Sequence, residues 1–191
     1  MAENSTDRRT LRTRRLLKQA MLTLLEKYDI TKITVGDLAE LADIGRGTFY
    51  LHYQDPYDLL DKIEDEIIDN IKDIVSSLYE GDKEGDKNAN MLICIEKSWE
   101  YVYNNNELIA VLVKNPAGYK FVEKCKECFY NILIDTLPES KQTELFKYKM
   151  FYLISGSWGI FQRWIREGMN LSPRQIAEIL AGVIDEGNHL L

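Results

Sequence analysis

Histidine is nearly missing from this 191-residue chain, which has only His52 and His189. With so few, no Ser-His-Asp or Cys-His arrangement is in view, and neither HExxH nor a Gly-rich phosphate loop occurs, so an enzyme is set aside. Proline is scarce, at four residues, and alternating β-branched stretches are absent, which removes the usual signs of strands and leaves helix throughout. The three cysteines, Cys94, Cys125 and Cys128, are an odd number unsuited to a disulfide framework. Cys125 and Cys128 form a C-x-x-C, but FVEKCKECFYNILI around them reads as helix and no second ligand pair follows. Two half-buried helix cysteines are expected there, with no metal and no cofactor. The longest uncharged run, Met150 to Gln162, falls short of the roughly 20 apolar residues of a membrane span. MAENSTDRR at the start has no apolar core of a secretion signal, so a cytoplasmic protein without a membrane partner is expected.

A net charge of -7 by itself argues against a nucleic-acid partner, yet the charge is unevenly placed. Arg8, Arg9, Arg12, Arg14, Arg15 and Lys18 fall within eleven residues that include no acidic one, while the acidic excess lies after Pro56. A basic head on an acidic body suits a molecule that offers one end to DNA.

The first helix is expected over about Asp7 to Lys27, with Leu16, Leu17, Ala20, Met21, Leu24 and Leu25 on one face. Asp55 and Pro56 open a long helix whose stripe is Leu59, Leu60, Ile63, Ile67, Ile71, Ile74 and Leu78. A polar loop over 81–88 follows, then helices over 90–103 (with Trp99), 107–114 (stopped by Asn115-Pro116) and 119–137 (ended by Pro138). The most apolar segment, about Lys141 to Glu167, holds Gly156 and Gly159, which would permit a close helix crossing or a bend. Ser172-Pro173-Arg174-Gln175 is a capping box opening a last helix over 173–185, with Ile176, Ile179, Leu180, Val183 and Ile184 on its apolar side.

The stretch with most chemistry is ITVGDLAELADIGRGTFYLHYQDP, residues 33–56. Thr34 with Asp37 three residues on forms an acidic variant of the capping box. Asp43 tolerates a left-handed turn, Ile44 returns to the core, and Gly45 caps a second short helix over Arg46 to Tyr53. Phe49 and Tyr53, at i and i+4, point inward, which leaves Arg46, Gly47, Thr48, Tyr50, Leu51 and His52 on or near the outer side. This reads as a DNA-binding helix-turn-helix, although turn signals alone leave an ordinary helical hairpin open.

GRGTFYLHYQDPYDLL closely resembles the recognition-helix signature of the TetR family of bacterial transcription regulators, a Thr-Phe-Tyr-x-His-aromatic run before a long helix. The detailed likeness spans about Leu11 to Ile63. The resemblance implies an all-α fold: a three-helix helix-turn-helix DNA-binding domain over 1–54, then a helical effector-binding and dimerisation domain over 55–191. It implies that Arg46, Gly47, Thr48, Tyr50 and Leu51 face the groove, with Arg46 reading a guanine and Leu51 touching a thymine methyl. Tyr50 and His52 match positions that usually bond phosphate, Thr48 is expected to do the same, and the Thr34 backbone amide, at a helix N-terminus, is a further phosphate candidate. Three departures stand out. Asp43 replaces the usual turn glycine, Gly45 the usual capping serine, and Pro56 a frequent phosphate-gripping lysine, whose place the bare start of the following helix can partly take.

The partners implied are a double-stranded DNA operator, a second copy of the chain through the last two helices, and a small apolar or aromatic effector. Trp99, Tyr103, Phe121, Phe129, Tyr152 and Trp158 are the residues expected to enclose that effector, against the plainer expectation that each is core. The function expected is a dimeric repressor released by its effector. The alternative is an interaction protein that keeps the fold but binds a protein, in the manner of a co-activator.

Overall fold

The first helix, α1 (Glu3–Leu25), turns Leu17, Ala20, Met21 and Leu25 inward, all within 5% exposure, while Leu16 and Leu24 flank that stripe half-buried. The computed structural model describes residues 3–81, 87–114, 118–135 and 143–190. Among these the regular structure is entirely helical, as the residue pattern implies. A 3-10 turn, Ile30–Lys32, is capped by Asp29 and leads to α2 (Val35–Leu41) and α3 (Arg46–Tyr50). Then come α4 (Pro56–Gly81), α5 (Lys87–Asn104), α6 (Asn106–Lys114), α7 (Gly118–Asp135), α8 (Glu144–Arg166) and α9 (Pro173–Leu190).

The chain forms two compact units, and the division runs through α4. One comprises Met1–Ile67 with Val111–Tyr119; the other comprises Ile68–Ala110 with Lys120–Leu191. The core of the first holds Leu17, Met21, Leu38, Phe49 and Leu59, each fully buried. Burial of side chains this size contributes about 1.5–3 kcal/mol each, so α1 to α4 are held by a common apolar centre rather than by their short helices' own propensity. In the same unit Gly118 lies against the Leu112 carbonyl so closely that a Cβ there would overlap it, which requires glycine.

In the second unit, α5 packs along α9. Trp99, Val102, Phe121, Val122, Cys125, Phe161, Trp164, Ile165, Ile176, Ala177 and Leu180 are its buried apolar side chains on α5, α7, α8 and α9. Gly168, at φ 78°, and Met169, at φ 56°, turn the chain sharply after α8, and the Trp164 indole donates to the Leu171 carbonyl at 3.0 Å to hold the turn.

Four expectations need amending. Helix α1 starts at Glu3 and ends at Leu25, two residues before Lys27. Helix α3 stops at Tyr50, yet Tyr53 still reaches the core because its amide bonds the Phe49 carbonyl at 3.0 Å. At Gly156 and Gly159 no atom of another element among the described residues comes within 4 Å of where a Cβ would stand, so no described helix crosses closely there. Ile179 and Val183, placed on the inner stripe of α9, are 44% and 48% exposed. Residues 82–86 of the expected polar loop, the stops at Asn115-Pro116 and Pro138, and the side chains of Leu78 and Ile184 lie outside the described residues.

Candidate nucleic-acid interface and aromatic cluster

Helix α2 opens on Thr34, whose hydroxyl accepts from the Asp37 amide at 3.2 Å while the Asp37 carboxylate accepts from the Thr34 amide at 2.9 Å and from its hydroxyl at 2.7 Å. The capping box is therefore complete. Those bonds to Thr34, and after them the charge of Arg46, hold the Asp37 carboxyl below its ordinary range. Asp43, at φ 52°, adopts the left-handed conformation that a glycine would take without strain. Its turn lets the Ile44 amide bond back to the Ala39 carbonyl at 3.0 Å. Gly45 caps α3 with backbone alone, since no side-chain bond replaces the serine it lacks.

Phe49 is fully buried and meets Tyr53 at 5.8 Å between ring centroids and Tyr50 edge-on at 5.7 Å. With that anchor inside, the opposite side of α3 is outward: Arg46 and Gly47 are exposed, Tyr50 is 60% and Leu51 80% exposed, and Thr48 and His52 are half-buried. Around Gly47 there is open space. Thr34 is exposed too, but its amide and hydroxyl are both engaged by Asp37.

His52 lies beside the Tyr53 ring, 6.3 Å between centroids, and near Arg14. Burial, and then the Arg14 charge, push its imidazole below the ordinary value of 6.5. Of the basic residues on α1, Arg8, Arg9, Arg12, Arg14 and Arg15 are exposed, whereas Lys18 pairs with Glu66 at 2.9 Å and is spent within the fold.

The start of α4 is not bare. Asp55 accepts from the Asp58 amide at 2.9 Å, and Asp58 accepts from the Gln54 amide at 2.8 Å and from Lys62 at 3.1 Å. Two carboxylates occupy this helix opening, and Pro56 is buried within it. Asp55 and Asp58 make this opening acidic, which opposes the expected partial replacement of the missing lysine's grip on phosphate.

In the second unit Trp99 meets Phe161 and Trp164 edge-on, each at 5.2 Å, Tyr103 stacks on Trp164 at 6.2 Å, and Trp158 meets Phe161 at 4.5 Å. Three of the expected effector residues, Trp99, Tyr103 and Trp158, are thereby joined through Phe161 and Trp164. The i, i+3, i+6 spacing of Trp158, Phe161 and Trp164 is the signal that marks those two. Phe121 is buried and Phe129 half-buried on α7, and neither is in a described ring contact with the cluster. Tyr152 is 72% exposed, on the outward stripe of α8 with Leu145, Tyr148 and Phe151. The Trp158 indole N–H is buried without a hydrogen-bond partner among the described residues. On α7 Cys125 is buried and Cys128 half-buried, and burial pushes the Cys128 thiol up. Among the described residues no cluster of three His, Cys, Asp or Glu side chains is arranged to hold a metal, and no helix is long and apolar enough to cross a membrane.

A compact head built round an exposed short helix, together with an aromatic helical body, is the architecture of a helix-turn-helix transcription regulator. The TetR model of a transcriptional regulator C-terminal region matches residues 89–186, about half of the chain. The chain belongs to the TetR family of transcriptional regulators. Over 59 residues it is 44% identical to the uncharacterized HTH-type transcriptional regulator YxbF of Bacillus subtilis (strain 168), a match spanning 30% of this chain and 16% of that protein. Its fold is similar to that of a TetR-family regulator from Syntrophomonas wolfei, with TM-score 0.68 at 16% identity, over 90% of this chain and 92% of the other. It is also similar to FadR of Bacillus subtilis, solved in complex with stearoyl-CoA, with TM-score 0.59 at 13% identity, over 90% and 97% of the two chains.

Proposed function

We propose that this regulator binds a palindromic DNA operator as a homodimer and acts as a repressor that a small apolar or aromatic effector releases. The observation that carries the reading is the outward row of Arg46, Gly47, the half-buried Thr48 and Tyr50 on α3 with Leu51 at its C-cap, backed by the buried Phe49 and Tyr53. Arg46 donates to a guanine edge, Gly47 admits close backbone approach, and Leu51 touches a thymine methyl. Tyr50, His52 and Thr48 bond phosphates and set the register, while Thr34, engaged by Asp37, is left to cap α2, and the exposed arginines of α1 supply the sequence-independent attraction. Residues 1–54 form the DNA-facing part and 55–191 the effector and dimerisation part.

Dimerisation through α8 and α9 is supported by Leu145, Tyr148, Phe151, Tyr152, Ile179 and Val183, which are 44–74% exposed. So much apolar surface on two adjacent elements of the sequence suits a second copy. Trp99, Tyr103, Phe121, Phe129 and Trp158 are the residues proposed to meet the effector. A buried indole N–H with no partner among the described residues suits an effector that carries one hydrogen-bond acceptor on an otherwise apolar body. Tyr152, first grouped with them, is better assigned to the dimer face by its exposure.

The alternative, a co-activator that binds protein through the same fold, drew on the departures at Asp43 and Pro56. Asp43 keeps the turn geometry, which both readings require, and the exposed arginines of α1 are what favour DNA. Selection of duplexes from a randomised library by the purified protein tests the reading. A palindrome with half-site centres about 34–36 Å apart is expected. A selected site without two-fold symmetry contradicts the dimeric operator.

A further inference from the structure

Gly36 stands in the first turn of α2, and Arg46 is the first residue of α3. A Cβ built on Gly36 would lie 2.9 Å from Nη2 of Arg46 and 3.5 Å from its Cζ. The guanidinium therefore fills the space that a side chain at position 36 would take, lying back from the start of α3 across the opening of α2. Thr34 Oγ1 bounds the same space, 3.4 Å from that Cβ. The Asp37 carboxylate is near enough to feel the arginine's charge.

The backbone does not call for glycine here, since Gly36 is not among the residues with positive φ. Glycine weakens a helix relative to alanine, all the more in one of seven residues. Room for the Arg46 guanidinium is what its missing side chain supplies.

We infer that Gly36 is a positioning residue for DNA reading: its empty place seats the Arg46 side chain on α2, so that the arginine is already directed before DNA arrives. The inference rests on the proposed reading of Arg46 as the base-contacting residue. A free arginine is rich in rotamers, and ordering such a side chain on binding lowers affinity by roughly 2- to 10-fold. Seating it beforehand removes part of that loss and limits which base pair it can reach.

The full-length chain and Gly36→Ala are compared on a duplex selected from a randomised library by the wild-type protein. Because the displaced group is the end of a flexible side chain, Gly36→Ala should fold with Tm unchanged or raised. Its affinity should nevertheless fall by roughly 2- to 10-fold, with discrimination lost at the base pair that Arg46→Ala also relaxes. In an Arg46→Ala background, Gly36→Ala should change nothing further. A merely structural role would move Tm and affinity together. Unchanged or tighter binding by Gly36→Ala, or an equal loss in the Arg46→Ala background, overturns the inference. A second arm needs no DNA: in the free protein, nuclear Overhauser contacts should join the Gly36 α-protons to the Arg46 guanidinium. Their absence overturns the seat. If they are present and wild type selects no duplex, the DNA reading fails while the seat stands.

Discussion

Arg46 and Tyr50 occupy the same short helix but are assigned opposite kinds of contact. Arg46→Ala should weaken operator binding by about 1–3 kcal/mol and relax preference at one base pair in each half-site. Tyr50→Phe, like His52→Ala, should weaken specific and non-specific duplexes about equally and flatten the salt dependence. Binding measured on matched and mismatched duplexes separates the two, and a loss confined to the operator for Tyr50→Phe would contradict its phosphate role. His52 adds a pH dependence. Its folded-state value lies below 6.5, so the unfolded chain binds this proton more readily. The stability it contributes is present above about pH 6.5 and is lost as pH falls through the lower folded-state value. Urea midpoints between about pH 7.5 and about pH 5 should therefore fall more for wild type than for His52→Gln. Equal falls would show that the imidazole is not perturbed. At this scale the exposure of Arg46, Gly47, Tyr50 and Leu51 and the burial of Phe49 and Tyr53 were legible, because each follows from a tight local pattern. The seat of Arg46 over Gly36 was not, since it depends on how far one side chain folds back over a neighbouring helix.

Among the helices, the ones with explicit end signals follow the sequence most closely. Thr34 with Asp37, Asp55 with Asp58, and Ser172 with Gln175 each mark a helix start by a side-chain bond that local residue order can predict, whereas the Thr143 cap of α8 lies two residues beyond the start expected near Lys141. The C-terminal limit of α3 was less legible, because a buried Phe49 and Tyr53 satisfy a helix and a following turn equally well. The inner stripe of α9 was overextended at Ile179 and Val183, because apolar spacing does not say whether the surface covering a residue belongs to its own chain. Between α2 and α3 the turn depends on Asp43 at φ 52°. Asp43→Gly should fold at least as stably, whereas Asp43→Val should cost about 1–2 kcal/mol by forcing a β-branched residue into the left-handed region. Thermal unfolding checks both, and a neutral Asp43→Val would show that the turn can rearrange.

For the molecule as a whole, the outward face of α8 and α9 should bring two copies together. Tyr152→Glu should convert a dimer to a monomer in sedimentation at micromolar concentration and reduce operator affinity while the single chain keeps its helical circular dichroism, since the residue is 72% exposed on one chain. A dimer that survives the change would place the interface elsewhere. The central claim, that the head is a DNA-binding surface and not a protein-docking one, is tested most directly by a salt titration of the purified chain on the duplex it selects. Phosphate contacts from the α1 arginines, Tyr50 and His52 predict log affinity falling linearly and steeply with log salt, through counterion release. A duplex affinity that is weak on every sequence and indifferent to salt would contradict the account and assign the exposed helix to a protein partner.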